Sequence, residues 1–168
     1  MAAKKAAARR TLPRASRPRM PGYGMPTGSR GLLTWAWAEQ RLRASHNYYV
    51  MTVRPDARPH AMPVWGVWVG GRLYFSTGAQ SVKARNLAAN PACVICTEKA
   101  AQAVVVEGTA SPIADAAQLK AIAPQYARKY KSYTLDPKMG PIFEVRPKVV
   151  FGLDEKRFNA MTRWIFNG

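Results

Sequence analysis

The residues best suited to chemistry lie where a predicted strand runs into a predicted helix, within residues 74–87. The strand ends in two hydroxyls, those of Ser76 and Thr77. A glycine-containing turn then leads to Ser81, which is expected to cap a short helix over residues 82–89, with Asn90-Pro91 as the stop signal. The spacing therefore places two hydroxyls beside a helix N-terminus.

Such an arrangement is suited to an anion. The free N–H groups of a helix N-terminus attract negative charge, and Lys83 falls in the first helical turn. Hydroxyls, backbone amides and an ammonium group together predict a phosphate-sized site. The alternative is an ordinary capped helix on which Lys83 and Arg85 are simply solvated.

Other kinds of site find little support in the sequence. There is no glycine-rich phosphate loop, no GxSxG motif and no HExxH motif. His46 and His60 are the only histidines and fall on different predicted strands, whereas a metal site needs three or four ligands. Cys93 and Cys96 are three residues apart in a predicted strand, so their side chains are expected on opposite faces. We therefore expect no metal site and no redox cysteine pair.

The positive charge of the chain is concentrated at its beginning. Of the formal charge of +17, residues 1–30 contribute +8 and contain no acid. Because this segment is rich in Ala, Pro and Gly, residues 1 to about 20 are expected to form a mobile arm and residues 21–26 a connector to a single domain over 31–168. The arm could bind nucleic acid or an anionic surface, act as a transit peptide, or be a solvated tail.

Length and hydropathy limit the class of protein. The 168 residues suggest one domain, and the 48% hydrophobic content is enough for a core. No window of 18 uninterrupted apolar residues occurs, so no membrane span is expected. The expected location is the cytoplasm.

The elements that must position the hydroxyls and Lys83 are mostly strands. Alternating and β-branched segments predict six of them, over residues 46–53, 60–69, 72–77, 92–98, 103–112 and 142–153. Gly70-Gly71 indicates a tight hairpin, and Pro147 a bulge or an edge position. Helices are predicted over 32–44, 82–89 and 115–130, the last kinked or split at Pro124. The pattern predicts a mainly β (α+β) fold, a six-stranded antiparallel barrel with short flanking helices.

One long run resembles a known family. RPHAMPVWGVWVGGRLYFSTGAQSVKARNLAANP, followed by VVVEGTA, is similar to the pyridoxamine 5'-phosphate oxidase-like flavin-binding family. It resembles most the branch of flavin- and deazaflavin-dependent oxidoreductases, the deazaflavin being coenzyme F420. The similarity runs over residues 44–114. It implies a split β-barrel that forms a homodimer and binds its cofactor at the dimer interface.

The resemblance also implies residue roles. The strand residues that would line the isoalloxazine or deazaflavin ring are Met62, Pro63, Val64 and Trp65. The residues that would surround the ribityl chain and the phosphate are Ser76, Thr77, Ser81, Lys83 and Arg85. The residues that would frame the substrate pocket are Trp68, Arg163 and Trp164. For the two C-terminal residues, packing onto the barrel is the alternative, and alternation along the strand makes one of Trp65 and Trp68 a core residue.

Two departures separate the chain from a true pyridoxamine-phosphate oxidase. Val82 stands where the oxidases carry an arginine next to the lysine, and the position of a ring-contacting glutamine is apolar here, near Ala103. The cofactor is therefore left open between FMN and coenzyme F420. The expected activity is hydride transfer between the bound ring and a small organic substrate. The alternatives are a non-catalytic flavin- or haem-binding barrel and a nucleic-acid-binding protein acting through residues 1–30.

Overall fold

The computed structural model describes residues 12–131 and 133–166. The strands are β1 (Arg14–Ser16), β2 (Asn47–Val53), β3 (Pro59–Val69), β4 (Arg72–Ser76), β5 (Ala92–Thr97), β6 (Val104–Pro112), β7 (Ile142–Gly152) and β8 (Thr162–Ile165). The α-helices are α1 (Trp35–Ala44), α2 (Val82–Ala89) and α3 (Ala116–Lys129). Short 3-10 turns span Ala100–Gln102, Pro137–Met139 and Glu155–Ala160.

Six of the strands close into a barrel. Their order is β7-β4-β3-β2-β5-β6, every pairing is antiparallel, and β6 pairs back onto β7. The strands β8 and β1 extend the sheet from the second half of β7. The prediction of a mainly β, six-stranded antiparallel barrel with a few helices is confirmed.

The core of the barrel follows from alternation along the strands. In β2, for example, Tyr48 and Val50 are fully buried while Tyr49 is exposed, because successive side chains point to opposite faces. Trp68 and Trp164 belong to the same buried cluster as Trp35 of α1. The tail of the chain thus docks on the barrel, as its aromatic composition suggests.

The predicted irregularity at Pro147 is confirmed as a bulge. The register between β6 and β7 shifts at Glu107/Gly108, so that Gly108 lies opposite Pro147 and Glu107 opposite Val149. A Cβ on Gly108 would lie 2.2 Å from the carbonyl oxygen of Arg146. Only glycine lets the two backbones approach this closely.

Side-chain caps set the start of the helices. The first helix begins at Trp35 rather than at residue 32, because the Thr34 hydroxyl accepts a hydrogen bond from the Trp37 N–H (3.2 Å). The Asp115 carboxylate caps α3 in the same way (2.8 Å to Ala117 N). The structure keeps α3 as one helix through Pro124, whose side chain is exposed, so the predicted split does not occur. No helix within the described residues is long and apolar enough to cross a membrane.

Part of the basic N-terminal segment is ordered on the barrel. The backbone of Arg14–Ser16 pairs with Arg163–Ile165 of β8, and the ring of Tyr23 stacks on that of Phe158 (5.9 Å). The prediction of a mobile arm is wrong for Arg14–Ser16, because backbone pairing with a sheet edge needs no apolar side chains. Residues 1–11 of the predicted arm lie outside the described residues, and the domain boundary at 30/31 stays a prediction.

Candidate functional site

The barrel is open between β3 and β4. Only Gly66–Val69 of β3 pair with β4, so within the described chain Pro59–Trp65 have a strand neighbour on the β2 edge alone. Met62 and Trp65 are each 44% exposed, whereas Val64 points into the core. This open edge offers free backbone groups and apolar side chains to a flat ligand, and it coincides with the segment expected to line the ring.

The loop after β4 joins this open edge to α2. The hydroxyls of Thr77 and Ser81 lie 3.0 Å apart, and the Ser81 oxygen accepts a hydrogen bond from Ala84 N (3.2 Å). The predicted N-cap is therefore confirmed. Because Ser76 ends β4 one position beyond the Gly66–Phe75 pair, it lies beside Trp65. The structure thus brings the hydroxyls predicted for phosphate binding next to the segment predicted for the ring.

Lys83 is the cation best placed to bind an anion here. Its side chain is half-buried, and burial lowers its pKa below the usual range of a lysine. None of the described carboxylates lies within ion-pair distance of it. Arg85 differs, since its exposed guanidinium turns back to donate to the carbonyl of Gln80 (2.7 Å).

Three tyrosines at the end of α3 border the same open edge. The rings of Trp65 and Tyr130 are stacked at 4.7 Å with 7° between their planes, and Tyr133 meets Trp65 edge-on. The Tyr126 hydroxyl donates to the carbonyl of Trp65 (2.7 Å), and the Tyr133 hydroxyl is 3.4 Å from that of Ser76. These tyrosines are not among the site residues expected from the sequence. Their spacing of four and three residues, which marks one helix face, was the available signal.

Lys129 anchors α3 to the barrel. Its ammonium group donates to Gly66 O (2.6 Å) and to the Tyr48 hydroxyl (3.0 Å), and it lies 4.6 Å from the Tyr48 ring centre. Burial lowers its pKa to about 8. The neighbouring Tyr130 hydroxyl accepts from Gly66 N (2.7 Å) and lies within donating distance of the His46 carbonyl (2.6 Å). These polar groups satisfy one another within the fold.

The residues predicted for the substrate pocket lie elsewhere in this chain. Trp68 is 3% and Trp164 is 1% exposed, and both pack on Trp35 in the core. Arg163 donates to the Ser16 hydroxyl (3.3 Å). It lies opposite Phe151 of β7, whereas Ser76 lies opposite Ile142. Counted along β7 at about 3.3 Å per residue, the two partners are roughly 30 Å of strand apart. Burial in the core supports the packing alternative for Trp164 and makes Trp68 the core residue of the Trp65–Trp68 pair, and the pocket role of Arg163 stays a prediction.

The cysteines and acids do not form a second site. Cys93 is buried and Cys96 half-buried, on opposite faces of β5 as their spacing predicts. Burial raises the pKa of the Cys93 thiol to about 12, so it is not a reactive thiolate at neutral pH. Over the ranges 12–131 and 133–166, no group of three or more His, Cys, Asp or Glu side chains is arranged to hold a metal ion.

Comparison with known proteins identifies the family of this chain. The model of the pyridoxamine 5'-phosphate oxidase family matches residues 36–154, about seven tenths of the chain. The chain belongs to this family. No curated protein matches it.

Several solved structures share the fold. One of a conserved hypothetical protein from Mycobacterium tuberculosis superposes with a TM-score of 0.66 at 21% identity, covering 78% of this chain and 92% of that one. The structure of a protein described as an F420 reductase superposes with a TM-score of 0.53 at 24% identity, covering 67% of this chain and 94% of that one. The structure of a heme binding protein from Mycobacterium smegmatis superposes with a TM-score of 0.61 at 19% identity, covering 80% of this chain and 59% of that one.

Proposed function

We propose that the protein is an oxidoreductase that binds FMN or coenzyme F420 at the open edge of β3 and exchanges a hydride between that cofactor and a small organic substrate. The observation that carries the proposal is Lys83. It is a half-buried cation without a carboxylate partner among the described residues, at a capped helix N-terminus beside an exposed, open strand edge. Membership of the pyridoxamine 5'-phosphate oxidase family supports the same assignment.

The residues present fit such a cofactor. The Thr77–Ser81 loop and Lys83 supply hydroxyl, amide and ammonium donors for a phosphate. The open edge at Met62–Val64 supplies backbone groups that are not paired with β4, and Met62 and Trp65 supply apolar surface for a planar ring. When bound, the flavin or deazaflavin ring supplies the hydride chemistry, and the protein supplies placement and electrostatics.

The tyrosines on the α3 side of the site are neutral, and the hydroxyl protons of Tyr126 and Tyr130 are donated to backbone carbonyls of the fold. Burial raises the pKa of Tyr130 to about 12 and that of Tyr126 further. Both hydroxyls therefore keep their protons at any physiological pH. They and Tyr133 shield the open edge from water on the α3 side, which strengthens electrostatic interactions there.

A second copy of the chain is the proposed cover for the outer face of β2 and β3. Three large exposed hydrophobic side chains lie on this outer face, opposite to that of the buried Tyr48 and Val50: Tyr49, Val53 and Trp65. Clustered exposed apolar residues mark interaction surfaces. We propose a homodimer with the cofactor at its interface, to be checked by light scattering coupled to size-exclusion chromatography. A monomer at micromolar concentration with cofactor bound would contradict it.

The basic N-terminal segment supports a separate candidate, binding of nucleic acid or another anionic surface. Arg14, Arg19 and Arg30 are exposed, and none forms an ion pair with a described carboxylate. Removal of residues 1–11 combined with Arg14→Ser, Arg19→Ser and Arg30→Ser should weaken salt-dependent binding to duplex DNA or RNA without changing cofactor affinity, since β1 pairs through its backbone. Equal nucleic-acid binding by both forms would refute this role of the segment.

The proposed function is tested by binding and turnover. Purified full-length protein is titrated with FMN and with coenzyme F420, and reduction of a panel of small substrates is then followed optically. Lys83→Ala should weaken binding, whereas Lys120→Ala, an exposed lysine on α3, should not. Binding without turnover would indicate a storage or sensing barrel instead of an enzyme.

A further inference from the structure

The turn between β2 and β3 lies against the N-terminal half of α2. Thr52 of β2 is the cross-strand partner of His60 of β3, so both side chains leave the sheet on the same face. The Asn86 amide of α2 donates to the Thr52 hydroxyl (2.9 Å), within the buried interior. Lys83 lies three residues before Asn86, on the same side of the helix. The packing therefore directs Lys83 towards His60.

A third cation comes from the turn itself. Arg54 is the first residue after β2, and its N–H donates to the carbonyl of Arg58 (3.0 Å), which continues the hairpin pairing by one residue. Continued alternation places its side chain on the same side as that of Thr52. Burial is the main cause that lowers the pKa of His60, and the positive charges of Arg54 and Lys83 lower it further. The carboxylate in this turn, that of Asp56, pairs with Arg58 (2.8 Å). Three basic groups from three elements are thus directed to one side of the β2–β3 turn, and none of the described carboxylates is an ion-pair partner of any of them.

We propose that Arg54 and His60 complete the anion site of Lys83, and that His60 takes up a proton when the anionic end of the cofactor binds. This inference rests on the proposed function. It also accounts for the departure at Val82: the cation that is lacking on α2 is replaced by Arg54, from a different element. The anion recognised is the phosphate that FMN and coenzyme F420 share.

The coupling between anion and proton has an electrostatic cause. In the free protein, Arg54 and Lys83 disfavour a proton on His60. A bound phosphate neutralises both cations and offers a hydrogen-bond acceptor, so the protonated imidazole becomes favourable. The other polar or charged groups on the packed elements are the Asp56–Arg58 pair of the turn, Thr52 of β2, and Arg85 and Asn86 of α2. None of these except Asp56 can supply a negative charge.

Calorimetric titration of the full-length protein tests the proposal. The ligand is FMN or coenzyme F420, whichever binds, between pH 6.5 and 8.5 and in two buffers of different ionisation enthalpy. Proton uptake is expected near neutral pH, and affinity should fall several-fold as the pH rises over this range. His60→Gln should abolish both effects, and Arg54→Gln should weaken binding about tenfold, as expected for the loss of one charge-assisted hydrogen bond. Riboflavin, which has no phosphate, should show no uptake.

Two controls separate this inference from the proposed function. Arg58→Gln changes the same turn, but at an exposed residue paired with Asp56, and should bind as the wild type does. If the cofactor binds but Arg54→Gln keeps full affinity and no proton is taken up, the inference is overturned and the proposed function stands. If riboflavin shows the same uptake as FMN, the phosphate is not the cause and the inference fails. If neither cofactor binds the wild type, both fail.

Discussion

Two lysines flank the open edge of β3, and their surroundings differ. Lys83 and Lys129 are both partly buried, and burial lowers the pKa of each. Lys129 donates to Gly66 O and to the Tyr48 hydroxyl, so its charge is satisfied by the fold. For Lys83, in contrast, none of the described carboxylates lies within ion-pair distance. Burial alone therefore does not mark a binding residue, whereas burial without a partner does.

The largest expected effect is a loss of stability, on the side of the site where Lys129 and Tyr130 are hydrogen-bonded to the barrel. Tyr130→Ala removes a buried ring stacked on Trp65 and the hydroxyl that bridges Gly66 and His46. The free energy of unfolding should fall by about 3–5 kcal/mol, the usual range for loss of a buried aromatic side chain. Urea denaturation measures this, with Tyr23→Ala, at a 63% exposed tyrosine, as the control. A loss below about 1 kcal/mol would show that α3 is not anchored there.

A substitution of Lys83, the lysine without a carboxylate partner, is expected to affect cofactor binding instead of stability. Lys83→Ala should weaken FMN or coenzyme F420 binding by roughly 10- to 100-fold, because a hydrogen bond to a charged group contributes about 1.5–3 kcal/mol. The free energy of unfolding should stay within about 0.5 kcal/mol of the wild type. Titration and denaturation of the same preparation give both quantities. Unchanged affinity with reduced stability would reverse the roles assigned to the two lysines.

Substitution of Ser81, the N-cap of α2, should have an intermediate effect on both stability and binding. Ser81→Ala removes the acceptor for Ala84 N and the neighbour of the Thr77 hydroxyl. Loss of an N-cap costs about 1 kcal/mol of stability, and the anion site should weaken with it. Ser81→Asp restores a cap but adds a negative charge, so stability should recover while phosphate binding does not. Recovery of both would place the anion away from this loop.

The smallest effect is a pH dependence. The pKa of Lys129 is about 8 in the folded chain and about 10.4 in an unfolded one. Between these values the unfolded chain holds more protons on Lys129, so the contribution of this residue to stability should rise as the pH increases from about 8 to 10. The buried Cys93 thiol, whose pKa is raised to about 12, opposes this rise, so the quantity to measure is the difference between the denaturation profiles of the wild type and of Lys129→Met. That difference should grow in favour of the wild type over this interval, and parallel profiles would contradict the burial of the ammonium group.

Local signals in the sequence were sufficient to predict most of the fold. Alternation identifies the barrel strands, Gly70-Gly71 the hairpin, and Ser81 and Asp115 the helix caps, because each depends on near neighbours in the chain. The ordering of Arg14–Ser16 was not predictable in this way. It depends on a sheet edge contributed by residues almost 150 positions later.

The candidate site was only half predictable. Ser76, Thr77, Ser81 and Lys83 lie within eight consecutive residues, so their grouping follows from the sequence alone. The proposed approach of Arg54 and His60 to Lys83, and the stacking of Tyr130 on Trp65, depend on tertiary packing. The same limit explains why the sequence did not decide between a pocket role and core packing for Trp164. An aromatic side chain fits either place until its burial is known.

Titration of the purified wild-type protein with FMN and with coenzyme F420, followed by fluorescence, tests the central claim most directly. The predicted result is saturable binding of at least one of them with a Kd below about 100 µM, a binding free energy of roughly −5.5 kcal/mol. Because Trp65 lies on the open edge, tryptophan emission should be quenched along the same binding curve. If neither cofactor binds by 100 µM, the proposed cofactor site is wrong.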